Sequence, residues 1–182
     1  MTRGDVLVGL ARAAIAERFF GPAPRRPFDA PWLDEPRAVF VTLEKHGELR
    51  GCVGQLEPRA PLSDAVKDAA RAAAFDDSRF PPLRKEELPE VRIEVSVLSP
   101  LERLDVRTEQ EALDALRPGV DGLVLTWGQR SAVFIPEVWK ALPDKHDFLS
   151  QLRRKGRLPL DAWPDDLRVE RFTADCFHEA DA

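Results

Sequence analysis

Cysteine is scarce: Cys52 and Cys176 are the only two in 182 residues. That is too few for a disulfide framework and predicts free thiols. The three histidines, His46, His146 and His178, are scattered, and no CxxC, HExxH or paired Cys/His spacing occurs, so no metal is predicted. GxGxxG and the phosphate-cradling P-loop are also missing, and no cofactor is called for. No apolar run approaches the ~20 residues of a membrane helix, so no membrane association is expected. Basic excess is absent too. The 27 Lys and Arg against 32 Asp and Glu give a formal net charge of -5, which makes DNA binding an unfavourable reading. The opening stretch "MTRGDVLVGLARAAIAERFF" is interrupted by Arg12 and lacks a processing site. It reads as an amphipathic helix rather than a signal peptide, and the expected address is the cytoplasm.

What is present is the composition of a folded soluble domain, 43% hydrophobic and 32% charged. Helical spacing predicts a helix over Asp5–Phe19, ended by Gly21. The proline-rich "GPAPRRPFDAPWLDEPR" forbids regular helix and predicts an ordered loop anchored by Phe28, Trp32 and Leu33. "RAVFVTLEKHGELRGCVGQL" reads as a hairpin turning at Lys45-His46-Gly47. A helix over Leu62–Ala74 follows, then a strand over Arg92–Leu98 with Ile93, Val95 and Val97 on one face and Glu94 and Ser96 on the other. Thr108 with Glu111 three residues on predicts a capped short helix. A second hairpin turns at Gly128-Gln129, "HDFLSQLRRKG" is a helix stopped by Gly156, and "LRVERFTADCFHEA" starts as a strand. Hairpins with helices between them predict an α+β fold, an antiparallel sheet with packed helices, and not a doubly wound one.

The chemistry-bearing stretch is "LRGCVGQLEP". Strict alternation puts Leu49, Gly51 and Val53 on one face and Arg50, Cys52 and Gly54 on the other. A guanidinium from Arg50 beside Cys52 would lower its thiol pKa and make it a candidate nucleophile. Gly51 and Gly54 would let a substrate approach the backbone, or carry positive φ, or touch another backbone too closely for a Cβ. A small buried hydrophobe is the competing reading of Cys52. In "DDSRFPPL", a rigid loop presents Arg79 beside Phe80, able to hold an anion or to tie down loop carbonyls. Glu94 and Ser96, opposite the apolar face of their strand, are candidates to line the same site, or else an ordinary solvent face. "RRKGR" at Arg153–Arg157 offers phosphate binding or complementation of a helix dipole. The four tryptophans read as core and interface anchors.

Taken together, "LRGCVGQL", "FDDSRFPPLRKEELPEVRIEVSVLSP", "GVDGLVL", "VFIPEVW" and "FLSQLRRKG" resemble the AMMECR family, called protein A of the AmmeMemoRadiSam system in prokaryotes. The resemblance runs from about Val6 to Phe172. Departures at Val53, Ser78, Arg154 and Gly156 leave Cys52 untouched. The family implies a single domain over residues 5–177 with two lobes, the larger from the N- and C-terminal regions and the smaller from the middle. It also implies that Arg50, Gly51, Cys52 and Gly54 mark an active or binding site. The system's name implies Memo-like and radical SAM partners acting on an unknown small-molecule or macromolecular substrate. Two readings of function follow. The chain is an accessory or substrate-binding component of such a modification pathway. Alternatively, it is a thiol-dependent enzyme using Cys52 on an anionic substrate held by Arg50 and Arg79. The absence of an evident general base favours the first.

Overall fold

A computed structural model describes residues 2–22 and 30–179. Phe28 lies outside the described residues. The chain divides into two compact units, Met1–Leu98 with Asp175–Ala182, and Ser99–Ala174.

The first unit begins with helix α1, Arg3–Phe20. Thr2 caps it by a reciprocal box: Thr2 N–H donates to Asp5 Oδ2 at 2.7 Å, and Asp5 N–H donates to Thr2 Oγ1 at 3.2 Å. Gly21 ends it with a positive φ of 78°. Of the predicted loop anchors, Leu33 is buried, and Trp32 lies under the Arg3 guanidinium at 4.8 Å. Strands β1 (Val39–Lys45) and β2 (Glu48–Gly54) form the predicted hairpin. His46 and Gly47, both at positive φ, supply the tight turn whose twist suits a hairpin. Helix α2 spans Leu62–Phe75 and β3 spans Val91–Leu98.

With β8 (Ala174–His178) these strands make a four-stranded sheet in the order β2-β1-β3-β8, and β1 is antiparallel to both β2 and β3. Both helices cover one face. Val41, Leu43, Ile93 and Val95 of the sheet meet Leu7, Ile15, Val66 and Ala73 there, and all eight are buried. The expected sheet of three strands with α2 packed on it is present.

The second unit carries β4 (Glu102–Leu104), α3 (Glu109–Ala115), β5 (Gly122–Trp127), β6 (Arg130–Phe134), α4 (Lys145–Lys155) and β7 (Arg168–Phe172). Its sheet runs β4-β7-β5-β6, antiparallel throughout. The fold is therefore α+β with two antiparallel four-stranded sheets, where the sequence suggested one. The C-terminal stretch is not one strand: Thr173 separates β7 from β8, which serve different sheets.

In the "RRKGR" cluster, Arg153 is not free to hold a phosphate. Arg153 is only 2% exposed, and its guanidinium donates to the carbonyls of Pro159 and Ala162. It thereby clamps the chain leaving α4. Trp139 is a core anchor, stacked on Phe148 at 3.8 Å, with its Nε1–H donating to Asp121 O. No helix among the described residues is long and apolar enough to cross a membrane.

Candidate functional site

Strand β2 does not alternate as its sequence suggests. Leu43 pairs with Gly51, but the next residue, Glu44, pairs with Leu49. Arg50 is the extra residue of a β-bulge, and the phase of the strand reverses across it. Leu49 therefore falls on the face opposite the helices and is 43% exposed, not in the core. Arg50 does not share the face of Cys52 as a free cation. Its guanidinium grips Glu87 through Nε and Nη2 at 3.2 and 3.1 Å.

Glu87 is buried, accepts a further bond from Lys45 Nζ at 3.3 Å and takes the Arg84 backbone N–H at 3.0 Å. The Arg50 guanidinium, first among these, holds the Glu87 carboxyl down to about 2. A carboxyl whose folded pKa lies below its unfolded value of about 4.5 stabilises the fold above that pH and loses the contribution as pH falls toward 2. Urea midpoints measured across this window should fall steeply with acid, and the Glu87→Gln variant should show a flatter slope there. Equal slopes would show that Glu87 is not the group titrating.

The two glycines are filled by the protein itself. Neither has positive φ. A Cβ on Gly51 would strike the carbonyl of Ala73, so α2 sits directly on the strand at that point. A Cβ on Gly54 would strike Val39 O and the ring of Phe40, its cross-strand partner. Close backbone contact was one of the expected uses of these glycines. Substrate approach was another, and at Gly51 the space is taken by α2.

Cys52 lies on the face away from the helices, paired with Thr42. Thr42 Oγ1 donates to its Sγ at 3.3 Å. On the free edge of β2, the Cys52 N–H donates to Asp77 Oδ2 at 2.9 Å and its C=O accepts from Arg79 Nη2 at 3.1 Å. Asp77 and Arg79 together supply the donor and acceptor that a further strand would supply, which closes an otherwise unpaired edge. Asp77 is buried, and Arg79 binds it through Nε and Nη2 at 2.9 and 2.7 Å. This pairing holds the Asp77 carboxyl well below the usual carboxylate range. Phe80 lies near both guanidiniums, 6.0 Å from Arg50 and 5.6 Å from Arg79.

The thiol is correspondingly not activated. Burial pushes the Cys52 thiol up from its ordinary value. The Thr42 hydrogen bond and the Arg79 charge pull down, while Asp77 and Glu94 push up. The lowered pKa expected from strand alternation is thus reversed. The reasons are the bulge, which hands Arg50 to Glu87, and the partial burial of the sulfur.

Farther across the same face, Thr42 pairs with Glu94 on β3. Glu94 Oε1 accepts from Ser96 Oγ at 2.9 Å, and Glu94 Oε2 lies 3.2 Å from His178 Nδ1 on β8. Ser96 Oγ is 3.4 Å from Cys176 Sγ. The residues singled out in the sequence fall into two groups: Cys52, Glu94 and Ser96 on the sheet face, and Arg50, Arg79 and Phe80 around the edge of β2. Thr42, Asp77, Glu87 and His178 complete these groups and were not singled out. The Asp-x-Arg spacing of Asp77 and Arg79 was the available signal for one of them. The others depend on strand register. Among the described residues no three His, Cys, Asp or Glu converge as a metal cluster.

A family model described as AMMECR1 matches residues 8–177. A protein of Methanothermobacter thermautotrophicus is 44% identical over 184 residues, spanning 97% of this chain and 94% of that one. A protein of Thermococcus onnurineus is 41% identical over 192 residues, with 97% and 90% covered. The crystal structure of an uncharacterized protein from Pyrococcus horikoshii superposes with a TM-score of 0.87 at 37% identity, covering 97% of this chain and 91% of that one.

Proposed function

The chain belongs to the AMMECR1 family, and from that premise we propose that it is a non-catalytic binding component of an AmmeMemoRadiSam-type modification pathway. In this reading it offers the Cys52 face of its first sheet to a partner or substrate. The observation that carries it is the state of the thiol. Cys52 is held by Thr42, raised by burial and denied the Arg50 charge, which is spent on Glu87. A nucleophilic cysteine needs the opposite of the last two, and the Thr42 bond, which favours the thiolate, does not outweigh burial. The face is instead suited to contact, because it sets exposed Leu49, Glu44, Cys176 and His178 among half-buried Thr42, Cys52 and Glu94.

The second reading, a thiol-dependent enzyme with Cys52 as nucleophile, has one observation in its favour. Glu94 and His178 form an orienting pair in the same cross-strand row as the thiol. Glu94 is two strands from Cys52, however, about 10 Å between backbones at the usual strand spacing. Its carboxylate is engaged by Ser96 and His178, and it makes no hydrogen bond to the thiol.

The proposed partners are the Memo-like and radical SAM proteins of the pathway. Co-expression with each, followed by affinity purification, tests this. A complex is expected to survive Cys52→Ala and to weaken by about tenfold or more on Leu49→Asp, which places a charge in an apolar contact. No complex with either protein, or a complex lost on Cys52→Ala and indifferent to Leu49→Asp, would overturn the reading.

A further inference from the structure

On the helix side of the same sheet lies a recess of about 210 Å³ that the preceding reading does not use. Its floor is Ala38, Val39 and Val53 at the ends of β1 and β2, and its wall is Ala65, Ala69 and Ala72 of α2. Alanines along one helix face keep it open, since any larger side chain there would fill it. The volume is below the ~300 Å³ at which pockets for cofactors and drug-sized ligands begin, which excludes a nucleotide.

Four charged residues line the recess: Arg37, Arg59, Glu57 and Asp68. Arg59 is committed to Glu57, with Nε and Nη2 at 3.1 and 2.7 Å from Oε2. Asp68 faces Arg71 at 3.4 Å. Arg37 is the charge left over. Its Nε is buried and has no hydrogen-bond partner, one of two such side-chain atoms among the described residues. Buried donors are normally satisfied, and an unpaired guanidinium beside an apolar recess is the arrangement that a carboxylate would complete.

We propose that this recess binds a small monoanion with an apolar body, its carboxylate on Arg37 and its body against the alanines of α2. One unpaired cation, in a recess whose two carboxylates are already matched by Arg59 and Arg71, favours a single negative charge over the double charge of a phosphate. The proposal does not rest on the reading of the Cys52 face.

The test is isothermal titration of the full chain with benzoate, with benzamide as its uncharged analogue, and with inorganic phosphate. Saturable benzoate binding is expected, weakened about tenfold or more for benzamide and for Arg37→Gln, the loss expected on removing a charge-assisted contact. Ala65→Leu, which fills the recess from a half-buried position, should abolish it. Arg37→Lys keeps the charge and should bind more tightly than Arg37→Gln, so a fold defect in one variant does not decide the outcome. Equal binding of benzoate and benzamide, benzoate binding unchanged in Arg37→Gln and Ala65→Leu, tighter binding of phosphate than of benzoate, or no saturable benzoate binding would each overturn the proposal.

Discussion

Glu87→Ala is expected to destabilise the protein by about 3–5 kcal/mol, the usual cost of breaking a buried ion pair by removing one partner. Glu87 is 7% exposed, and its carboxylate carries Arg50 on two nitrogens, Lys45 on one, and the Arg84 N–H. Its removal leaves the Arg50 guanidinium buried with no counter-charge, at a side-chain exposure of 11%. Arg50 Nη1 is already without a hydrogen-bond partner, so nothing adjacent takes up the loss. The measurement is urea unfolding at neutral pH. A double variant, Arg50→Met with Glu87→Met, should recover most of the loss, because an apolar pair removes both desolvated charges at once. A loss below about 1 kcal/mol, the range of an exposed pair, would show that the contact is solvated and not structural.

Gly51→Ala is expected to cost about 3 kcal/mol, at the upper end of ordinary overpacking. The added Cβ meets the carbonyl carbon and oxygen of Ala73, which are backbone atoms in the last turns of α2 and cannot rotate aside. Either α2 lifts from β2 or the strand shifts, and both moves disturb Val66, Ala70 and Ala73, which are buried against the sheet. Gly9 provides the control. It lies on α1 with nothing within 4 Å of its Cβ position, so Gly9→Ala should stabilise by up to about 1 kcal/mol through helix propensity alone. Opposite signs at the two positions are the predicted result. A neutral Gly51→Ala would mean that α2 is not seated there.

The elements were largely legible in the sequence because their signals are local. Alternation in "VRIEVSVL" marks β3, the Thr-x-x-Glu spacing marks the start of α3, and the turn at His46-Gly47 closes the first hairpin. The site was less legible because its logic is not local. A bulge at Arg50 is invisible to alternation, and one inserted residue moved Leu49 out of the core and Arg50 onto Glu87. The pairing of Asp77 and Arg79 with the edge of β2 joins segments 25 residues apart or more. Two glycines in a β-favouring run are compatible with substrate approach, positive φ or close backbone contact, and only packing tells which applies.

The central claim is that Cys52 is a held, unactivated thiol. Its most direct test is the rate of iodoacetamide alkylation against pH in the Cys176→Ala variant, folded and in urea. Folded Cys52 should react more slowly than the unfolded chain at every pH and titrate at a higher pH. The Cys176 thiol of the Cys52→Ala variant, exposed in the fold, should react faster than Cys52. A folded Cys52 that titrates below the unfolded thiol, and reacts faster than it near neutral pH, would contradict the claim and restore the nucleophile reading.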